Sequence, residues 1–355
     1  MKKIVLVFAF FLTISFQINA QWFWQNPLPQ GNNLYSVDFI DSDLGWTVGS
    51  YGTILKTTNG GINWVLKESG TTKSLLCVSF AEANNGTAVG SYGTIIRTTS
   101  GGESWVLQNS GTTKHLRSVS FPNINIGTAV GDSGTIIRTT NGGETWTLQL
   151  SGTINNLYGV SFINEINGIA VGKFGKILRT TNGGENWTEQ ISNTTNDLYS
   201  IHFIDANTGT AVGVNKILRT TDSGANWISQ STSGANNAYM NVSFSDINNG
   251  FVVSQGGKII RTTNGGTNWT TQRQGAIALY GISLISPNNV TVVGDYGTVL
   301  RTTDFGITWI DQSKGTINDL YDICFTDSNH GCVVGGNGTI LITFNGGVTW
   351  DIQQV

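Results

Sequence analysis

The sequence predicts an all-β chain folded as a β-propeller of four-stranded antiparallel blades, and two observations carry that prediction. Eight tryptophans, Trp64, Trp105, Trp146, Trp187, Trp227, Trp269, Trp309 and Trp350, follow one another at intervals of 40, 41 or 42 residues. Between them returns a single grammar of four short β-branched, aliphatic or aromatic runs, each bounded by Gly, Asn or Asp, which is the chemistry of strands. A repeat of about 40–45 residues with four strands is the propeller period. One such sheet cannot cover both its faces, but sheets stacked radially cover one another and leave only short edges.

The third copy shows the elements in order. Leu116-Arg117-Ser118-Val119-Ser120-Phe121 reads as a first strand and Gly127-Thr128-Ala129-Val130-Gly131 as a second. A tight turn leads to the third, Thr135-Ile136-Ile137-Arg138-Thr139-Thr140. Asn141-Gly142-Gly143 turns the chain again before the fourth, Trp146-Thr147-Leu148-Gln149. No window of the repeat region keeps a helical period. Complete copies run from Leu34 to Trp350, so eight blades are expected, with seven as the alternative. Trp22-Phe23-Trp24-Gln25-Asn26 resembles a stray fourth strand, compared with Trp105-Val106-Leu107-Gln108-Asn109. It is surplus to eight units and is expected either to pair where the ring closes or to lie on an edge.

Composition narrows the function classes. The 355 residues include 46 Gly, 4 Pro and 3 Cys, and 12% are charged. With 39% apolar residues, charge-driven disorder is excluded, and without a Gly-X-Y period collagen is too. The net charge of -3 argues against a protein that coats nucleic acid. Met1-Lys2-Lys3, an apolar run from Ile4 to Phe16 and the small residue Ala20 read as a signal peptide over 1–20. The run is too short for a membrane span of about 20 residues. Residues 21–355 are then expected as a single exported propeller domain, periplasmic or extracellular, and a monomer.

The turn before each tryptophan has the layout Ser/Thr-x-Asp-x-Gly-x-Thr-Trp, as in Thr98-Thr99-Ser100-Gly101-Gly102-Glu103-Ser104-Trp105. It resembles the Asp-box, or BNR repeat, of sialidases and other propellers. The third position is Asn59, Ser100, Asn141, Asn182, Asp222, Asn264, Asp304 and Asn345. Such side chains accept backbone N–H bonds inside the turn, Gly permits positive φ, and the tryptophan plugs the underside. The box is therefore expected to be structural, with no metal. The longer pattern Gly-Thr-Ile-Ile-Arg-Thr-Thr-(Asn/Asp)-Gly-Gly-x-x-Trp is similar to the photosystem II assembly and stability factor-like propellers of cyanobacteria and chloroplasts. That resemblance covers residues 22–355. It implies a non-enzymatic, protein-binding assembly scaffold with a link to photosynthesis.

One position is basic in seven units: Lys56, Arg97, Arg138, Arg179, Arg219, Arg261 and Arg301, followed by Ile342 in the last. In the packing reading, each stem covers a box tryptophan of its own or a neighbouring blade. In the functional reading, the row meets an acidic partner, and the resemblance supports this because an arginine patch is proposed as the docking surface in that family.

The sequence offers no catalytic constellation. Arg117 and Arg273 alone leave the repeat position, which is no converging sialidase triad, and Asp38, Asp132 and Asp295 are paired by no spacing. No unit carries an inserted substrate loop. No cofactor is expected, and His115, His202 and His330 are isolated, which is not metal-ligand spacing. The rival reading is a glycan-binding or glycan-hydrolysing extracellular propeller. Its platforms would come from Trp22, Trp24 and Trp46, outside the boxes, or from Tyr51, Tyr92, Phe174 and Tyr296 at one recurring turn, which could line a face or cap a blade edge. Cys324 and Cys332 fall on adjacent strands, where a disulfide is left open.

Overall fold

A computed structural model describes residues 32–353, apart from 42, 61–62, 232–236 and 313–315. The leader and the Trp22–Asn26 fragment lie outside the described residues. Eight four-stranded antiparallel sheets follow one another, each a simple meander in chain order. Blade 1 comprises Leu34–Phe39, Gly45–Gly49, Ile54–Thr57 and Val65–Lys67, and blade 8 comprises Leu320–Phe325, Gly331–Gly335, Ile340–Thr343 and Asp351–Ile352. First strands of successive blades pack on one another all round, and that of blade 8 packs on that of blade 1, so the ring closes. First strands therefore surround the axis and fourth strands form the rim.

The apolar clusters explain why the chain forms a ring rather than a row of sheets. There are eight, and each is drawn from two adjacent blades. Trp46, Val48 and Ile54 of blade 1 pack with Leu75, Val78, Phe80 and Ile96 of blade 2. At the closure, Cys332, Val334, Ile340 and Ile342 of blade 8 pack with Leu34, Val37, Leu55 and Trp64 of blade 1. Complete burial of one such aliphatic side chain contributes about 1.5–3 kcal/mol. A lone blade would forfeit this on both faces.

Second strands are buried almost throughout, as in Gly127–Gly131, because each lies between two neighbouring sheets. Its terminal glycine is fixed by packing: a Cβ on Gly131 would stand 1.9 Å from the carbonyl oxygen of His115. Fourth strands are exposed and short, as suits a rim with an unpaired edge.

Candidate functional site

The ring offers a partner two faces and a channel. One face carries the box turns, which are held by their own side chains. In every blade the third-position residue accepts the N–H four residues on, from Asn63 N to Asn59 Oδ1 at 2.9 Å through to Thr349 N to Asn345 Oδ1 at 2.9 Å. The threonine two residues before it accepts a glycine N–H, as from Gly143 N to Thr139 Oγ1 at 2.8 Å. Beneath, the indole meets a first-strand phenylalanine edge-on, with centroids 5.9 Å apart for Phe39–Trp64 and 6.0 Å for Phe121–Trp146. In blade 7 Leu284 stands where that phenylalanine would be, and Phe251 of blade 6 makes the contact with Trp309 at 6.1 Å.

The basic side chains lie on third strands and reach across the seam to the next blade. Arg138 Nε donates to the Gly183 carbonyl at 2.5 Å, Arg179 Nε to Ser223 at 2.8 Å and Arg301 Nε to Gly346 at 2.5 Å. Arg219, only 7% exposed, donates to Ile247 O at 2.7 Å and to Thr210 Oγ1 at 3.0 Å. Lys56 pairs with Glu103 at 2.6 Å, while Arg97 and Arg138 face Glu144 and Glu185 at 3.6 and 3.9 Å. Hydrogen bonds from Lys56 and Lys67 hold the Glu103 carboxyl down at about 2. The ring contacts fall on phenylalanine rather than on the box tryptophans: Arg219 lies over Phe244 at 4.7 Å and Arg261 over Phe305 at 5.0 Å. Ile342, in the same position of blade 8, joins the apolar closure cluster instead.

The opposite face is built by the turns between second and third strands. Tyr51, Tyr92, Phe174 and Tyr296 sit there with φ of 55–58°, and Ser133 and Asn337 hold the equivalent place in blades 3 and 8. A residue with a Cβ pays about 1–2 kcal/mol in this conformation, least for Asn. The aromatic rings are nevertheless exposed, Tyr51 by 73%, so they line a face and do not cap a blade edge. Five of these turns are latched from the neighbouring blade. The N–H of Phe174 goes to Asp197 at 2.9 Å, that of Tyr296 to Asp319 at 3.0 Å and that of Asn337 to Asn33 at 3.0 Å, the last across the closure.

Around the axis, first-strand side chains take the place of a sheet partner by accepting N–H groups from the next first strand. Ser118 Oγ accepts from Val160 N at 3.3 Å, Asp38 Oδ2 from Phe80 N at 2.7 Å and Asp322 Oδ2 from Val37 N at 3.1 Å. Burial pushes the Asp38 and Asp322 carboxyls up to about 6. It pushes the Cys77 and Cys324 thiols up to about 11 and about 12 and lowers His202, so these thiols are poor nucleophiles at neutral pH. All three cysteines are free, although Cys324 and Cys332 are register partners.

The sequence candidates are therefore dispersed. Trp46 is no exposed platform: it is fully buried, stacked on Phe80 at 3.4 Å, with its indole N–H on Gly101 O at 3.1 Å. Asp132 is tied to Arg117, Asp295 to Tyr280, and Asp38 to the channel wall. Among the described residues, no group of three or more His, Cys, Asp or Glu is placed to hold a metal, and no helix is long and apolar enough to cross a membrane. Sequence reading missed Asp322 and the tyrosines at the second position of the first strands, Tyr35, Tyr158, Tyr199, Tyr280 and Tyr321. Alternation along that strand is the signal that could have found them.

A closed eight-bladed Asp-box propeller, latched from blade to blade on both faces, is the class of protein that fold and site define. The family profile for the photosystem II assembly factor YCF48 matches residues 16–105, 64–194, 189–319 and 314–355. The chain belongs to that family. No curated protein is matched. Among solved structures, YCF48 from Cyanidioschyzon merolae is 22% identical with a TM-score of 0.62, covering 90% of this chain and 97% of its own. YCF48 bound to D1 peptide is also 22% identical, with a TM-score of 0.61 over 78% and 93%. The computationally designed propeller Ika8 superposes with a TM-score of 0.74 at 13% identity, over 89% and 98%.

Proposed function

We propose that this chain is an exported, non-enzymatic scaffold that holds a protein client during assembly of a larger complex. Membership of the YCF48 family, matched across residues 16–355, carries the reading. A structurally similar YCF48 is bound to D1 peptide, which supports a protein as the client class here. Asp132 is committed to Arg117 and Asp38 to the N–H of Phe80, which supports binding over catalysis at those two carboxyls.

Pull-down with the full chain from the source cell envelope, read by mass spectrometry beside a glycan array, tests this. One enriched protein client with a silent array is expected. Sugar binding or sugar hydrolysis without a protein client overturns it. The double variant Arg179→Ala/Arg219→Ala separates two roles of the basic row. Lost capture at unchanged Tm assigns the row to docking, and a fall in Tm with capture intact assigns it to latching. Export rests on residues 1–20, and a mature protein that begins near Gln21 is its expected mark.

A further inference from the structure

The eight blades serve as comparison structures for one another, and one pair of seams differs in what it lacks. In blades 1, 3, 7 and 8 the second residue of the first strand faces the first residue of the turn between strands two and three. In blade 1 these are Tyr35 and Ser50, with hydroxyls 2.9 Å apart. In blade 3 they are Arg117 and Asp132, joined by Nε to Oδ1 at 2.5 Å and Nη2 to Oδ2 at 3.2 Å. The Arg117 guanidinium also lies over the ring of Tyr158 in blade 4, 5.5 Å from its centroid. This is a complete cation site, carboxylate beside and aromatic face beneath, already filled by the protein's own side chain.

Blades 7 and 8 repeat the carboxylate and the aromatic face but carry no cation. Asp295 takes the place of Asp132, Tyr321 that of Tyr158, and Tyr280 stands where Arg117 would be. Tyr280, Tyr321 and Tyr35 follow one another with centroids 6.2 and 5.9 Å apart. Asp319, whose Oδ1 accepts from Tyr296 N at 3.0 Å, brings a second carboxylate to the same turn, and its charge raises both Asp295 and Tyr280. Among the described residues, no basic side chain forms an ion pair with Asp295 or Asp319. Opposite Tyr321 the turn position is Gly336, where an added Cβ would lie 3.7 Å from the phenol oxygen and 3.5 Å from its nearest neighbour. Every other seam gives that place a side chain, so blade 8 alone presents only backbone there to the phenol of Tyr321.

We propose that the channel mouth at blades 7 and 8 binds a guanidinium or ammonium group carried by a partner, held by Asp295 and Asp319 against the faces of Tyr321 and Tyr280. A cation over a tyrosine face beside a carboxylate is attracted by both, and Arg117 shows the arrangement satisfied within the same molecule. Burial, reinforced by the charge of Asp295, pushes the Tyr280 hydroxyl up to about 12, so it stays a neutral donor to the carboxylate. The inference deepens the reading of a protein-binding scaffold by naming the side-chain class of the client, Arg or Lys, and rests on that reading only for its biological setting.

The test is calorimetric titration of the full chain with Nα-acetyl-arginine amide and with its neutral isostere Nα-acetyl-citrulline amide. Saturable binding of the arginine probe is expected, with citrulline weaker by about tenfold, the scale of one desolvated cation contact. Asp295→Asn and Tyr321→Leu should each weaken the arginine probe by about tenfold. Asp132→Asn, at the site already filled, should leave it unchanged. Equal binding of both probes, indifference to Asp295→Asn, or no binding of either probe to a chain with unchanged Tm overturns the proposal. Because the probes are small, that failure leaves client capture intact, and failure of client capture leaves this site standing.

Discussion

The seam between blades 5 and 6 and the seam between blades 8 and 1 solve the same problem by different means. The first is crossed by the chain itself and latched by Arg219, which is buried and bonded to Ile247 O and Thr210 Oγ1. The second has no peptide link between its described blades. There Ile342 enters an apolar cluster, Asp322 binds Val37 N, and Asn33 binds Asn337 N. A covalent link keeps two blades at high effective concentration even when their interface opens. Closure has only contact energy. The difference teaches that equivalent positions in a repeat need not carry equivalent mechanical duty.

Removing a core leucine should give the largest effect and the sharpest contrast. Leu34→Ala at the closure and Leu198→Ala between blades 4 and 5 remove the same side chain from fully buried sites. Each should cost about 2–5 kcal/mol in denaturant unfolding. The closure variant should also unfold faster, because its seam opens without stretching a linker. Equal unfolding rates would erase the distinction.

Next in size is a gain. The Asp322 carboxyl is raised to about 6 from 3.8, so between those values the folded chain binds a proton that the unfolded chain releases. The stability it contributes is present below about pH 4 and is lost as pH rises through about 6. Asp322→Asn keeps an acceptor for Val37 N without the buried charge. It should add up to about 3 kcal/mol at pH 7.5 and flatten the pH 4–6 slope of Tm. A lower Tm at pH 7.5 would show that the charge itself holds the seam.

The latches should then rank by burial. Arg219→Ala should cost about 1.5–3 kcal/mol, as for hydrogen bonds from a charged group. Lys56→Ala, whose partner Glu103 is exposed, should cost less than about 1 kcal/mol. Paired melts at low and high salt check this, with only the lysine variant losing its effect at high salt. Comparably small and opposite in sign is Tyr51→Asn, which places in blade 1 the residue type that Asn337 supplies in blade 8. It should stabilise by about 1 kcal/mol, showing that the tyrosine is kept at that turn against a folding preference.

The repeat, the strands and the box were legible because their causes are local: a turn that bonds to its own threonine and asparagine needs no neighbour. What lay across a seam was not. Trp46 looked free because its burial depends on Phe80, one blade away. The basic row was visible as a spacing, but its acceptors lie about one repeat further on, at Gly183, Ser223 and Gly346. Glu103, Glu144 and Glu185 sit exposed on box turns, yet each also faces the preceding blade's cation. Asp38 was visible only as a carboxylate without a partner and Asp322 not at all, because the ring is what turns both inward.

Each blade is completed by one uninterrupted stretch of chain, the last by Asp351–Ile352. The ring therefore has no preferred place to begin. Splicing the existing termini together and cutting any connection between a fourth strand and the next first strand would yield the same circle with its gap moved. A series of such permutants would weigh the eight seams one at a time, each serving in turn as the clasp.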